Sequence, residues 1–87
     1  MGKYLVKTYS VIRQTNGDTF EREGFSKVVS EKVLKLAKQA NKEVGYKYVG
    51  RFKDTQGRYY TKYAYVAEAF STEERKVTYF VTITKLK

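Results

Sequence analysis

The sequence predicts an α+β fold: a small two-layer domain with one helix packed on an antiparallel sheet, in the order β-β-α-β-β-β. Two observations point there. Between Val29 and Val44 the apolar residues recur at spacings of three and four, while the segments on either side are rich in Tyr, Val, Thr and Ile and are separated by turn residues. A third observation sets the scale: 87 residues make one domain, since domains run to about 50–250 residues, so residues 1–87 are expected to form a single basic unit. The net charge of +9 alone would fit a disordered chain, but 41% hydrophobic content with nine Tyr and five Phe supplies enough apolar surface to order it.

Lys3 to Gln14 reads as the first strand, because its β-branched and aromatic residues fit a pleated surface. Asn16-Gly17 suits the positive φ angles of a tight hairpin turn, and Asp18 to Glu23 returns as the second strand, closed by Gly24. The helix is expected over about residues 30–44, with room for an extra turn back to Ser26. Ser30 is its N-cap, Glu31 suits the positive end of the dipole, and Val29 with Leu34 forms a hydrophobic staple. Gly45 supplies the left-handed stop. Val29, Val33, Leu36, Ala37, Ala40 and Val44 form the stripe expected to face the core, so Leu36→Ala is expected to destabilise the fold by ~2–5 kcal/mol. Tyr46 to Lys53 and Arg58 to Phe70 then flank Asp54-Thr55-Gln56-Gly57, the composition of a type I turn closed by a glycine bulge. Ser71 to Glu74 is a polar connection, and Lys76 to Lys85 is the last strand, with Val77, Tyr79, Val81 and Ile83 alternating against threonines.

Composition removes several functions. With no Cys there are no disulfides, thiolate metal sites or cysteine nucleophiles; with no His, imidazole triads and histidine metal sites are gone too. Ser10, Ser26, Ser30 and Ser71 sit in no nucleophile elbow, and no glycine-rich phosphate loop leads into the helix. The acidic pairs Glu21/Glu23 and Glu73/Glu74 lack metal-loop spacing. No apolar run approaches the ~18 residues of a membrane span. The expectation is a non-enzymatic cytoplasmic protein without cofactor, metal or membrane partner.

What remains is charge and aromatic content. In the glycine-bulge register, Asp54 lies opposite Arg58, and one face of the hairpin collects Tyr46, Tyr48, Gly50, Phe52, Tyr60, Lys62, Ala64 and Val66. The other collects Lys47, Val49, Arg51, Lys53, Tyr59, Thr61, Tyr63 and Tyr65. The first set is the more apolar and is assigned to the helix side. The second is expected on the uncovered sheet face, where Lys47, Arg51 and Lys53 interleave with Tyr59, Tyr63 and Tyr65, and Arg58 lies within reach beside the turn. A loop without the bulge would exchange the partners of the second strand and send those tyrosines inward. Cations beside flat π surfaces are what phosphates and unstacked bases require. Tyr and Lys are equally the ordinary residues of a solvated strand.

The helix carries a second basic set, Lys35, Lys38 and Lys42 together with Lys32, either a surface laid along a phosphate backbone or a solvated face. This set and the sheet set are expected on opposite sides of the domain. The leading expectation is therefore a small protein that binds DNA or RNA. The rival is a protein-binding module: an inhibitor or adaptor, of the kind found as accessory proteins of viruses and mobile elements, that docks on an acidic or nucleic-acid-handling partner. Pairing of sheet edges would also permit a homodimer.

Overall fold

A computed structural model describes residues 2–68 and 71–86. The elements are β1 (Lys3–Gln14), β2 (Thr19–Ser30), α1 (Glu31–Val44), β3 (Lys47–Lys53), β4 (Tyr59–Val66) and β5 (Arg75–Lys85). One helix and a five-stranded antiparallel sheet in the order β2-β1-β5-β4-β3 make the expected α+β domain. The last strand in sequence lies at the centre of the sheet. It pairs β1 on one side and β4 on the other, and the helix crosses from one sheet edge to the opposite one.

Local chemistry sets most boundaries. Gly17 turns the first hairpin at φ 95°, with its amide donating to the Gln14 carbonyl at 3.1 Å. The Ser30 hydroxyl accepts from the Val33 amide at 3.4 Å and caps α1. Gly45, at φ 118°, ends the helix by donating to the carbonyls of Asn41 and Lys42. In the β3–β4 turn the Asp54 carboxylate accepts from the amides of Gln56 and Arg58, each at 2.9 Å, and Gly57 adopts φ 83°. Those bonds, the Arg58 amide first, hold the Asp54 carboxyl below its ordinary range.

Three expectations are corrected. Gly24 does not close the first hairpin, and no helical turn starts at Ser26: β2 runs unbroken to Ser30. Instead the ladder to β1 shifts around Thr8, which faces Gly24 and Phe25; the Thr8 hydroxyl accepts from the Phe25 amide at 2.9 Å. A Cβ on Gly24 would overlap the Thr8 side chain, so glycine is required there for space. The fourth strand stops at Val66 rather than running on, and the predicted end at Phe70 lies outside the described residues.

The third correction concerns the core. Val6, Leu34, Val81 and Ile83 are buried together, with Tyr4, Val29, Tyr46 and Tyr63 packed against them. Leu34, not Leu36, is the helix residue seated on the sheet: Leu34 is 5% exposed and Leu36 is 64% exposed. Val33 and Val44 of the predicted stripe are also exposed. The apolar arc of α1 is wider than the contact, and the sheet takes only its Leu34/Ala37/Asn41 border.

Candidate nucleic-acid interface

The β3–β4 turn sets the register that the sequence predicts: Lys53 faces Tyr59, Phe52 faces Tyr60, Arg51 faces Thr61 and Gly50 faces Lys62. Beyond Gly50 the ladder shifts, Val49 is left in a bulge, and Tyr48 pairs with Tyr63 and Lys47 with Ala64. The assignment of faces is reversed from Gly50 to Lys53 and along β4, whereas the Val49 bulge leaves Tyr46 and Tyr48 on the helix side and Lys47 on the uncovered side, as the sequence predicts. Central strand β5 decides it, because its Val81 and Ile83 belong to the core and pair with Tyr63 and Thr61 of β4. Alternation then puts Tyr59, Thr61, Tyr63 and Tyr65 on the helix side, together with Arg51 and Lys53. Phe52, Tyr60, Lys62 and Ala64, expected from the sequence to face the helix, lie on the uncovered side.

The consequence is that the two basic sets share a face. α1 rests over the β1–β5 core and leaves the β4–β3 side of the same face open, so a groove runs between the helix and the edge hairpin. One stretch, of about 380 Å³, is lined by Lys35 and Lys38 from α1 and by Arg51, Tyr59 and Thr61 from the hairpin, with Lys85 and Glu31 also at its walls. The next, of about 310 Å³, is lined by Lys38, Asn41 and Lys42 opposite Tyr46, Tyr48 and Tyr63. Lys38 belongs to both.

The hairpin wall is an organised array of cations and rings. The Arg51 guanidinium lies 4.5 Å from the centre of the Tyr59 ring and the Lys53 ammonium 5.6 Å from it. Tyr48 meets Tyr63 edge to face at 5.7 Å, and Tyr48 is 61% exposed, so its ring is open to a ligand. Tyr46 leans on Tyr65 at 5.4 Å beneath the helix C-terminus; burial first, then neighbouring Tyr79 and Tyr65, hold its phenol above the ordinary tyrosine range.

Of the predicted site residues, Lys35, Lys38, Lys42, Arg51, Tyr59 and Tyr63 line the groove, and Lys53 stands beside it against Tyr59. Three do not converge there. Lys47 is carried to the uncovered face by the Val49 bulge. Tyr65 packs against Tyr46. Arg58 is tied into its own turn, donating to the Gln56 side chain at 2.6 Å and lying 3.6 Å from the Asp54 carboxylate. Sequence reasoning missed Tyr48, which the bulge swings into the groove; Val49-Gly50 inside a strand was the available signal. It also missed the character of the uncovered face, where Tyr9 stacks on Phe80 at 4.9 Å and the Lys62 ammonium sits 4.6–5.8 Å from the rings of Phe80, Tyr9 and Phe52.

Among the described residues no group of His, Cys, Asp and Glu is arranged to hold a metal ion, and no helix is long and apolar enough to cross a membrane. Comparison with protein-family models, with curated proteins and with solved structures finds no match to this chain.

Proposed function

We propose that this is a small non-enzymatic protein that binds single-stranded nucleic acid along the groove between α1 and the β3–β4 hairpin. One observation carries the reading: cations from two separate sequence segments face each other across a channel whose hairpin wall bears exposed tyrosines. Lys35, Lys38 and Lys42 are spaced along α1 at intervals of three and four residues, so their ammonium groups track the groove. They serve the phosphates as mobile point charges. Arg51 presents a planar fork for a phosphate or a face for a base. Tyr59 and Tyr48 supply π surfaces at which an unpaired base stacks, an interaction worth about 1–3 kcal/mol per base. A duplex keeps its bases in the stack and gains only the charge term, which is why a single strand fits better.

The test is fluorescence anisotropy with labelled single-stranded DNA, single-stranded RNA and duplex DNA at low and near-physiological salt. Saturable binding that prefers a single strand and survives near-physiological salt supports the proposal. Equal, weak binding of all three that disappears with modest salt sinks it. In that event the same groove is to be tested as the docking surface of a protein-binding module for an acidic partner, where capture saturates at a fixed stoichiometry.

A further inference from the structure

The flank of α1 turned away from the groove is apolar and uncovered. Val33, Leu36, Ala40 and Val44 follow one another at intervals of three and four residues, and Val33, Leu36 and Val44 are 48%, 64% and 59% exposed. At 100° per residue, Val33, Ala40 and Val44 lie about half a turn round the helix from Lys42 and Lys35, so this is a separate surface from the groove. Such spacing, sustained over about two heptads, is the seam by which one helix packs along another.

We infer that the seam is covered by a second copy of this chain, with the two α1 helices packed antiparallel about a two-fold axis. The charges beside the seam choose this occupant. Lys32 and Glu43 are eleven residues apart, three helical turns, and so lie on one side of the helix at its two ends. In an antiparallel pair with Val33 against the second copy's Val44, Lys32 comes within about 3 Å, measured along the axis, of the level of the second copy's Glu43, given the 1.5 Å rise per residue. The symmetry repeats the contact, so both charges of each copy are matched. In a parallel pair in register, Lys32 and the second copy's Glu43 would stand about 16 Å apart along the axis, and neither charge would be matched. Among the described residues the one ion pair is Arg58 with Asp54, so neither Lys32 nor Glu43 forms a salt bridge with another described residue. The sheet edges are less suited to joining two copies, because β2 carries the bulge at Gly24 and Phe25, and β3 carries the Val49 bulge among Lys47, Arg51 and Lys53.

This surface is independent of nucleic-acid binding, and the experiment contains no nucleic acid. Sedimentation equilibrium of the full chain across protein concentration and salt reads the association directly. Two chains of charge +9 repel, so the dimer is expected to strengthen as salt rises, the opposite of a phosphate contact. Glu43→Lys and Lys32→Glu, each of which sets like charges across the axis twice, are expected to weaken the dimer about tenfold, and the double exchange to restore it. Leu36→Gln is expected to leave a folded monomer, checked by circular dichroism. A chain that stays monomeric at every concentration and salt overturns the inference, as does a dimer indifferent to the single charge reversals or one that the double exchange fails to rescue.

Discussion

The two flanks of α1 differ in chemistry although one short helix carries both. One presents Lys35, Lys38 and Lys42 to the tyrosine-lined groove; the other presents Val33, Leu36, Ala40 and Val44 to solvent. Only the narrow border between them, headed by Leu34, holds the helix to the sheet. A helix seated on so little contact is free to use both sides. The difference teaches that apolar residues at helical spacing do not by themselves identify the core face: two stripes meet on α1, and the buried one is the shorter.

The largest expected effect breaks the helix from the sheet. Leu34→Ala should lower unfolding stability by about 2–5 kcal/mol, whereas Leu36→Ala, at a protein concentration low enough to keep the chain monomeric, should change it by no more than about 0.5 kcal/mol. Urea denaturation of the two variants checks this, and equal losses would mean that the helix sits rotated from its described position. Next, the cationic flank: replacing Lys35, Lys38 and Lys42 together by Ala should flatten the log–log salt dependence of single-strand binding by about 2, from about 0.7 per phosphate contact. A control triple at Lys7, Lys27 and Lys76, outside the groove, should leave that slope closer to the parent's. The opposite wall contributes less per residue. Tyr59→Ala should reduce single-strand affinity by about 1–3 kcal/mol with little change in duplex affinity, read by the same anisotropy titration. A loss shared equally by duplex and single strand would argue against stacking at that ring.

The smallest effect lies at the hairpin tip. The Asp54 carboxyl has a depressed pKa in the folded chain, so folding favours its ionised form. Its contribution is present above the ordinary carboxylate range and is lost as pH falls through the depressed value. Asp54→Asn should remove that part of the acid sensitivity, visible as a smaller difference between parent and variant thermal midpoints at low pH than at neutral pH. A gap that widens on acidification would contradict the sign.

What the sequence made legible follows the range of the forces involved. The first strand, the Ser30 cap, the Gly45 stop and the Asp54–Gly57 turn rest on contacts within a few residues, and each is found where its chemistry predicts. Gly24 misled because the same residue type ends strands and accommodates bulges, and only the approach of Thr8 from another strand distinguishes the two. The faces of the β3–β4 hairpin were not legible from the hairpin itself. Counting apolar residues favoured the side with Phe52 and Tyr60, yet the side was fixed by pairing with Val81 and Ile83. On the uncovered side Phe52 contributes to the ring cluster around Lys62 instead of to the core. The candidate site residues stand out largely by composition, and they meet in one groove because that reversal moves Arg51, Tyr59 and Tyr63 to the side of the helix.

The position of β5 bears on how the chain folds. Its neighbours in the sheet, β1 and β4, have no ladder between them, so before the strand arrives the two hairpins are separate ribbons joined by a helix with little to rest on. Two-stranded ribbons are marginal in water by themselves. During synthesis the first four strands, complete at Val66, must therefore wait, and cooperative folding begins only when β5 slots between ribbons that were made before it. Contacts so far apart in sequence place the protein toward the slower, millisecond-to-second range of small domains.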